Sequence, residues 1–370
     1  MPDFTSALYL GLRHARDCLE PWQTLTEGRP AALGEVAGAP QVARRLAHLT
    51  GAARGLLFPS TLHLFLDLFE TLGRRPIAVL WDEGLYPVVR WAIDRAVGTG
   101  ALALTFDQHR PDTLARALAP HAATRTPVIV TTGFCADCGA LAPLAALLER
   151  AEALGGYLVI DDTQMFGLLG ARSGDLPLGR AGGGAARFLA LSSERLLVGV
   201  SLAKAFGAPV AFLGGAARVI TDVARHGSTR WHASPVCAVG VAAAAHALDV
   251  NEARGDELRG RLSALSTRFA RGLGSLAPRA APPVLPMQST VPLPRPLAEA
   301  LHAAIESRGV RCLLQRVRRQ ADAKLTFLIT TDHDDASIDE AISAVQWGWR
   351  SVGARNALRA GFECSAGGRL

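Results

Sequence analysis

Lysine is almost absent from this 370-residue chain. Of its 39 basic residues 37 are arginine, and the two lysines are Lys204 and Lys324. A lysine can lose its proton near neutral pH and act as an amine nucleophile, which a guanidinium cannot do; chance survival is the plainer alternative. Lys204 stands in Ser201-Leu202-Ala203-Lys204-Ala205-Phe206-Gly207. Well upstream, Tyr157-Leu158-Val159-Ile160-Asp161-Asp162-Thr163-Gln164 is an apolar run ending in two carboxylates. Earlier still, Phe58-Pro59-Ser60-Thr61 opens a helical pattern, and the first N–H groups of a helix are free to hold a phosphate. Phosphate pocket, carboxylate and lone amine are the parts that pyridoxal phosphate (PLP) requires. The amine forms the Schiff base, and the carboxylate keeps the pyridine nitrogen protonated so that the ring accepts electrons. Each part alone has a plainer reading: a strand-end Asp is often a turn residue, and Ser-Thr before a helix an N-cap.

The elements that must position these groups follow from the hydrophobic pattern. Strands are expected at Ile77–Trp81, Pro127–Thr131, Tyr157–Asp161, Phe188–Leu191 and Val210–Leu213. Helices are expected at Val42–Leu49, Thr61–Leu72, Tyr86–Val97, Pro111–Leu118, Leu141–Leu154 and Val236–Val250. Near-continuous apolar strands separated by helices indicate a parallel sheet covered on both faces, with its site at the carboxyl ends of the strands. Beyond Val250 the pattern changes to a charged helix Glu252–Leu273, a proline-rich Ala277–Pro296, helix Leu297–Arg308, strand Leu325–Thr330 and helix Ala336–Trp349. The expected organisation is an N-terminal segment 1–38, a large α/β domain 39–250, a smaller α+β domain 251–350 and a tail 351–370. Gly182–Gly184 reads as a flexible connection.

Composition narrows the class. Hydrophobic residues make up 49% of the chain and charged residues 19%, which excludes a disordered chain. The net charge of +6 is spread along the sequence, so no basic stripe points to nucleic acid. No apolar run approaches ~18 residues and the start lacks a secretory layout, so a cytoplasmic protein without membrane contact is expected. Cys135-Ala136-Asp137-Cys138 is a lone C-x-x-C without a second pair or a histidine at zinc spacing, so no metal site is expected.

With these residues in place the chain resembles the α-oxoamine synthases, a family of fold-type I (aspartate aminotransferase-like) PLP enzymes. Phe4-Thr5-Ser6-Ala7-Leu8-Tyr9-Leu10-Gly11-Leu12 is similar to the family's "FSSNDYLGL", and Gly34-Glu35-Val36-Ala37-Gly38 to its "GHVSG". Phe58-Pro59-Ser60-Thr61-Leu62 resembles "FPSGY", Ile160-Asp161-Asp162-Thr163-Gln164 with Gly167-Leu168-Leu169-Gly170 resembles "VDEAHATGVLG", and Ser201-Leu202-Ala203-Lys204 resembles "TLSK". The likeness runs in register from about Phe4 to Ser343. It implies a large domain with a mostly parallel sheet and a smaller C-terminal α+β domain. It also implies that Lys204 forms the Schiff base and shuttles the α-proton, and that Asp161 pairs with the pyridine nitrogen. Ser60, Ser201 and the Thr61 and Leu62 amides would hold the phosphate, with Ser234 acting across a homodimer interface.

Departures from the pattern bear on the substrate more than on the cofactor. Tyr86 stands where the family stacks a histidine on the ring, and Gln164 replaces the histidine after the aspartate; tyrosine can stack, and an amide can still donate a hydrogen bond. Ala136 replaces a serine, and Ala7 an asparagine. The arginine that grips the substrate carboxylate aligns with Thr326, so Lys324, Arg316, Arg318 or Arg319 would have to replace it, although each reads more simply as solvated surface. His63 and His232 are candidates to approach the phosphate, with structural roles the plainer reading, and Glu83 reads as a loop charge. The activity implied is decarboxylative condensation of an amino acid with an acyl thioester of coenzyme A or a carrier protein. A different PLP reaction on the same fold and a non-catalytic partner subunit remain as alternatives.

Overall fold

The computed structural model describes residues 1–107, 110–111, 113–121, 124–135, 139–278, 282, 284–317 and 321–366, with the backbone alone at 115 and from 353 onward. Two compact units emerge: Leu10–Ala136 with Ala140–Arg259, and Met1–Tyr9 with Asp137–Gly139 and Gly260–Leu370.

In the larger unit α1 (Ala39–Thr50), β1 (Arg54–Phe58), α2 (Thr61–Leu72), β2 (Ile77–Asp82), α3 (Pro87–Val97), β3 (Leu102–Phe106), α4 (Thr113–Leu118), β4 (Thr126–Thr132), α5 (Leu144–Ala153) and β5 (Tyr157–Asp161) follow in order. Then come the hairpin β6 (Ala171–Ser173) and β7 (Leu176–Arg180), α6 (Ala185–Phe188), β8 (Leu196–Ser201), β9 (Ala211–Gly215), α7 (Ala217–His226), α8 (Ser228–His232) and α9 (Ala238–Leu273), whose residues from Gly260 on belong to the smaller unit. One sheet has the order β1-β9-β8-β5-β4-β2-β3. Strands β3, β2, β4, β5 and β8 are parallel, β9 runs antiparallel to β8, and β1 antiparallel to β9. Thus every strand except β9 ends at the same edge.

The core explains this pairing. Helix α2 lays Leu64, Phe65, Leu68 and Phe69 in one cluster with Val79, Val130, Val159 and Leu197, drawn from four adjacent strands. Each such side chain contributes roughly 1.5–3 kcal/mol by leaving water. Gly199 on β8 makes room: a Cβ there would lie 2.8 Å from the Phe65 ring.

The smaller unit has a four-stranded antiparallel sheet of β10 (Met287–Ser289), β11 (Leu293–Pro294), β12 (Leu313–Arg316) and β13 (Asp322–Leu328), in which β13 pairs with the other three. Its helices are α10 (Arg295–Ser307) and α11 (Asp335–Ala366). Phe4 belongs here: its N–H donates to Arg311 O, its carbonyl accepts from Leu328 N–H, and its ring stacks on His333.

Several local expectations change. Phe188–Leu191 is no strand. Phe188 closes the short helix α6, Ala190 takes a left-handed φ of 53°, and the strand is Leu196–Ser201. A four-residue apolar run cannot distinguish helix from strand by period. The two helices read as Val236–Val250 and Glu252–Leu273 are one helix, because Asn251 does not stop it. Asn251 Nδ2 donates to Ala181 O, and its Oδ1 accepts from the buried Arg259. Helix α11 carries through the tail expected from Ser351 as far as Ala366.

Gly182–Gly184 is a packed turn, not a loose connection. Gly184 N–H donates to Leu169 O at 2.7 Å, its φ is 96°, and a Cβ on it would lie 2.1 Å from Asp162 Oδ2. Gly184→Ala is expected to lower unfolding free energy by at least ~1–3 kcal/mol in urea titrations. An unchanged midpoint would mean that the turn is as pliable as its composition suggests.

Candidate active site at the carboxyl edge of the sheet

Sheet register brings the chemical groups to one edge. Phe58, at the end of β1, and Ser201, at the end of β8, both pair with Ala211 of the intervening β9. Asp161 at the end of β5 lies between Gly199 of β8 and Thr132 of β4. Adjacent strands are ~4.8 Å apart, so the Ser60 helix start, the Ser201–Lys204 turn and Asp161 occupy neighbouring places on one rim.

Lys204 sits in the tight turn between β8 and β9, closed by bonds from Leu202 N–H to Val210 O and from Gly207 N–H to Lys204 O. Burial draws its pKa below the ordinary lysine value, while the charge of Asp161 works the other way. Asp161 is buried too, and burial raises its pKa; the Thr163 hydroxyl and amide and the Lys204 charge oppose that rise. Thr163 therefore does two jobs. Its N–H donates to Asp161 Oδ1 at 3.2 Å, and its Oγ1 accepts from Ser201 N–H at 3.0 Å, tying the end of β5 to the end of β8.

At the start of α2, Ser60 has extended N-cap geometry but does not cap. Its Oγ lies 2.9 Å from His63 Nδ1 instead of bonding a first-turn amide. The first acid-free turn thus presents the Thr61 and Leu62 N–H groups at the rim. Ser201 Oγ accepts from Ala203 N–H at 3.3 Å and keeps its own proton to give. Amide and hydroxyl donors in this setting suit a phosphate dianion. With a buried carboxylate and a desolvated amine on the same rim, the donor set fits PLP.

Asp162 is the other carboxylate of the pair and has another role. It is buried, its Oδ2 accepts from Ala185 N–H at 2.7 Å, and its Oδ1 has no hydrogen-bond partner. Gly133 crowds it closely: a Cβ there would lie 2.2 Å from Oδ1. Burial, Asp161's charge adding to it, pushes the Asp162 carboxyl up to about 8, against the Ala185 bond.

Among curated proteins the chain is 30% identical over 307 residues to the 8-amino-7-oxononanoate synthase of Halorhodospira halophila, covering 81% of this chain and 72% of that one. It is 27% identical over 313 residues to the same enzyme of Pseudomonas paraeruginosa, covering 83% and 74%. The chain belongs to the α-oxoamine synthase family. It is thereby homologous to PLP-dependent transferases. Among solved structures, a serine palmitoyltransferase from S. paucimobilis with a bound PLP–myriocin aldimine superposes with TM-score 0.82 at 17% identity, over 95% of this chain and 88% of that one. The 8-amino-7-oxononanoate synthase of Francisella tularensis gives TM-score 0.73 at 18% identity, over 95% and 98%. These establish the fold-type I architecture. No family model matches the chain.

The remaining residues singled out by the α-oxoamine synthase resemblance fall as follows. Tyr86 is the N-cap residue of α3, beyond the end of β2 on the same rim, with 59% of its surface exposed. Gln164 follows Thr163 and is half-buried, as is Glu83 in the turn after β2. His63 is engaged by Ser60, and His232 and Ser234 are exposed around the end of α8. Cys135 is buried after β4, whereas Ala136, Cys138, Arg318 and Arg319 lie outside the described residues.

In the smaller unit Thr326 is buried on β13, where its Oγ1 lies 2.9 Å from Ser289 Oγ and donates to Gln315 Oε1 at 3.0 Å. Arg316 is exposed. Lys324 is not surface, as its charge suggested: it lies on the central strand β13, paired with Gln315 of β12, and only 2% of it is exposed.

Two histidines escaped the sequence reading. His14 Nε2 donates to Phe206 O at 2.7 Å, and Phe206 lies two residues beyond Lys204. Burial pulls the His14 pKa down, so its Nδ1 accepts from His246 Nδ1, 3.0 Å away. A separation of 232 positions in sequence hides the pair from any local pattern.

The Asp162 assignment has a pH signature. Between about pH 4 and about pH 8 the unfolded chain releases a proton that folded Asp162 keeps, so this group makes stability fall as pH rises through that window. Asp162→Asn keeps an acceptor for Ala185 N–H and removes the titration. Urea unfolding across the window should show the variant gaining on the wild type as pH increases; parallel curves would show that Asp162 is ionised when folded.

Proposed function

We propose that the chain is a PLP-dependent acyltransferase that condenses an amino acid with an acyl thioester of coenzyme A or a carrier protein, with loss of carbon dioxide, and works as a cytoplasmic homodimer in a specialised biosynthetic pathway. The observation that carries this reading is the desolvated amine of Lys204 beside the buried carboxylate of Asp161, on the rim that also holds the uncapped start of α2.

Bound PLP supplies an electron sink for the charge that develops at the substrate α-carbon. The chain's residues do the rest. The Thr61 and Leu62 amides with Ser60 and Ser201 hold the phosphate, Tyr86 offers a ring face, and Gln164 a hydrogen-bond donor. Asp161, anchored by Thr163, places a negative charge that favours a proton on the pyridine nitrogen. Lys204 Nζ, which burial biases toward the neutral amine, receives the α-proton and returns it. The thioester carbonyl is attacked at carbon, the thiol leaves, and the carboxylate departs as carbon dioxide to give an amino ketone.

The substrate end supports a non-standard amino acid. Thr326 carries no charge, and its hydroxyl is already committed to Ser289 and Gln315. Arg316, which is exposed, is the cation we assign to a substrate carboxylate; Lys324, two residues along β13 from Thr326 and therefore on the same face, is buried. The absence of the family's arginine and histidine also keeps open a second reading, a different PLP reaction on the same scaffold.

Lys204→Ala should reduce turnover by at least about 1,000-fold, on the scale of losing a general base together with the covalent anchor. Mass-spectrometric product analysis with amino acid and acyl thioester supplied separately and together tests the reaction. Product that forms without thioester selects the second reading, and substantial turnover by Lys204→Ala overturns both.

A further inference from the structure

At the opposite, amino edge of the seven-stranded sheet lies a cavity of about 520 Å³, bounded by the end of α2, the starts of β2, β4, β5 and α7, and the turn leading into β8. Its lining is rich in guanidinium groups: Arg74, Arg75, Arg195 and Arg218. Among the described residues Arg74, Arg75 and Arg218 make no ion pair. Arg195 is held in place, with Nη1 donating to Gly155 O at 2.8 Å and the guanidinium 5.3 Å above the Tyr157 ring.

Helix α7 begins in this cavity, with Ala216 at the N-cap position and neither a capping side chain nor an acid in its first turn. It carries Arg218 there instead, so a cation stands at the positive end of the helix dipole, an arrangement that costs stability unless an anion is present. Thr71 also lines the wall, although its unpartnered Oγ1 is itself buried. Glu194 and Asp222 also line the cavity, so the four arginines leave a net charge of +2 before His226 is counted.

We infer that this cavity binds a small polyanion of the phosphorylated-metabolite class, at a site separate from the carboxyl-edge rim. Three unneutralised guanidinium groups and free helix amides match two or more phosphate charges. Tyr157 is covered by Arg195, so the cavity offers phosphate recognition and no open stacking platform for a base. Strands of five to seven residues separate the two edges. At ~3.3 Å per residue the gap is ~17–23 Å, so the bound anion is neither the substrate nor the cofactor phosphate. Helix α2 spans between them, with its first turn in the rim and Thr71 and Leu72 in the cavity wall.

The test is calorimetric titration of the full-length protein, with saturating PLP present, using inorganic pyrophosphate at low salt. One saturable site per chain is expected. It should weaken at least about tenfold in Arg74→Ala/Arg218→Ala, tighten in Asp222→Asn, and persist in Ser60→Asp, which puts a negative charge at the rim. Tightening in Asp222→Asn is a gain that damage to the fold cannot mimic. No saturable binding, wild-type affinity in the double arginine variant, or loss only in Ser60→Asp would each overturn the inference. None of these readouts depends on turnover, so failure here leaves the proposed reaction standing, and failure of that reaction leaves this site standing.

Discussion

Burying an amine and a carboxylate on one sheet rim is the constraint around which the larger unit is arranged. Desolvation acts against the charge on both Lys204 and Asp161, and their mutual attraction offsets only part of it. The rest comes from fixed dipoles. Thr163 gives Asp161 a hydroxyl and an amide, and the same threonine takes the Ser201 N–H, so the strand carrying the carboxylate cannot shift without disturbing the strand that leads to the lysine. Asp162, one residue on, is held by Ala185 and confined by Gly133 and Gly184, which fixes the backbone just past Asp161. His14 and His246 brace the far side of the Lys204 turn through Phe206.

The substrate end that we propose departs from the pattern that the family resemblance implies. A carboxylate clamp needs a cation, and Thr326 carries none, its hydroxyl being tied to β10 and β12. The one buried lysine of the smaller unit is two residues away on the same strand. A fixed amine and carboxylate with a changed grip on the substrate would let one fold serve different amino acids, since function resides in sites placed on a scaffold.

Legibility followed the range of the interactions. Tyr157–Asp161 and Thr61–Leu72 were readable to the residue, because the first is an unbroken apolar run and the second a clean amphipathic helix. Lys204 stood out because 37 of the 39 basic residues are arginine. What was hidden depends on partners far away in sequence. Leu196–Ser201 was masked by Gly199, whose purpose is to admit Phe65. Asn251 looked like a helix end because a polar side chain gives no sign that Ala181 and Arg259 will satisfy it. The clamp at Thr163 and the His14–His246 pair are tertiary hydrogen bonds without a local pattern, and Lys324 read as surface because a charged residue ordinarily is.

The most direct measurement is the visible absorption spectrum of the purified protein with added PLP, before and after borohydride reduction, followed by peptide mapping of the reduced adduct. The account predicts a Schiff-base band that borohydride bleaches, with the adduct on Lys204 and none on Lys324. No band, or an adduct on Lys324, would contradict it.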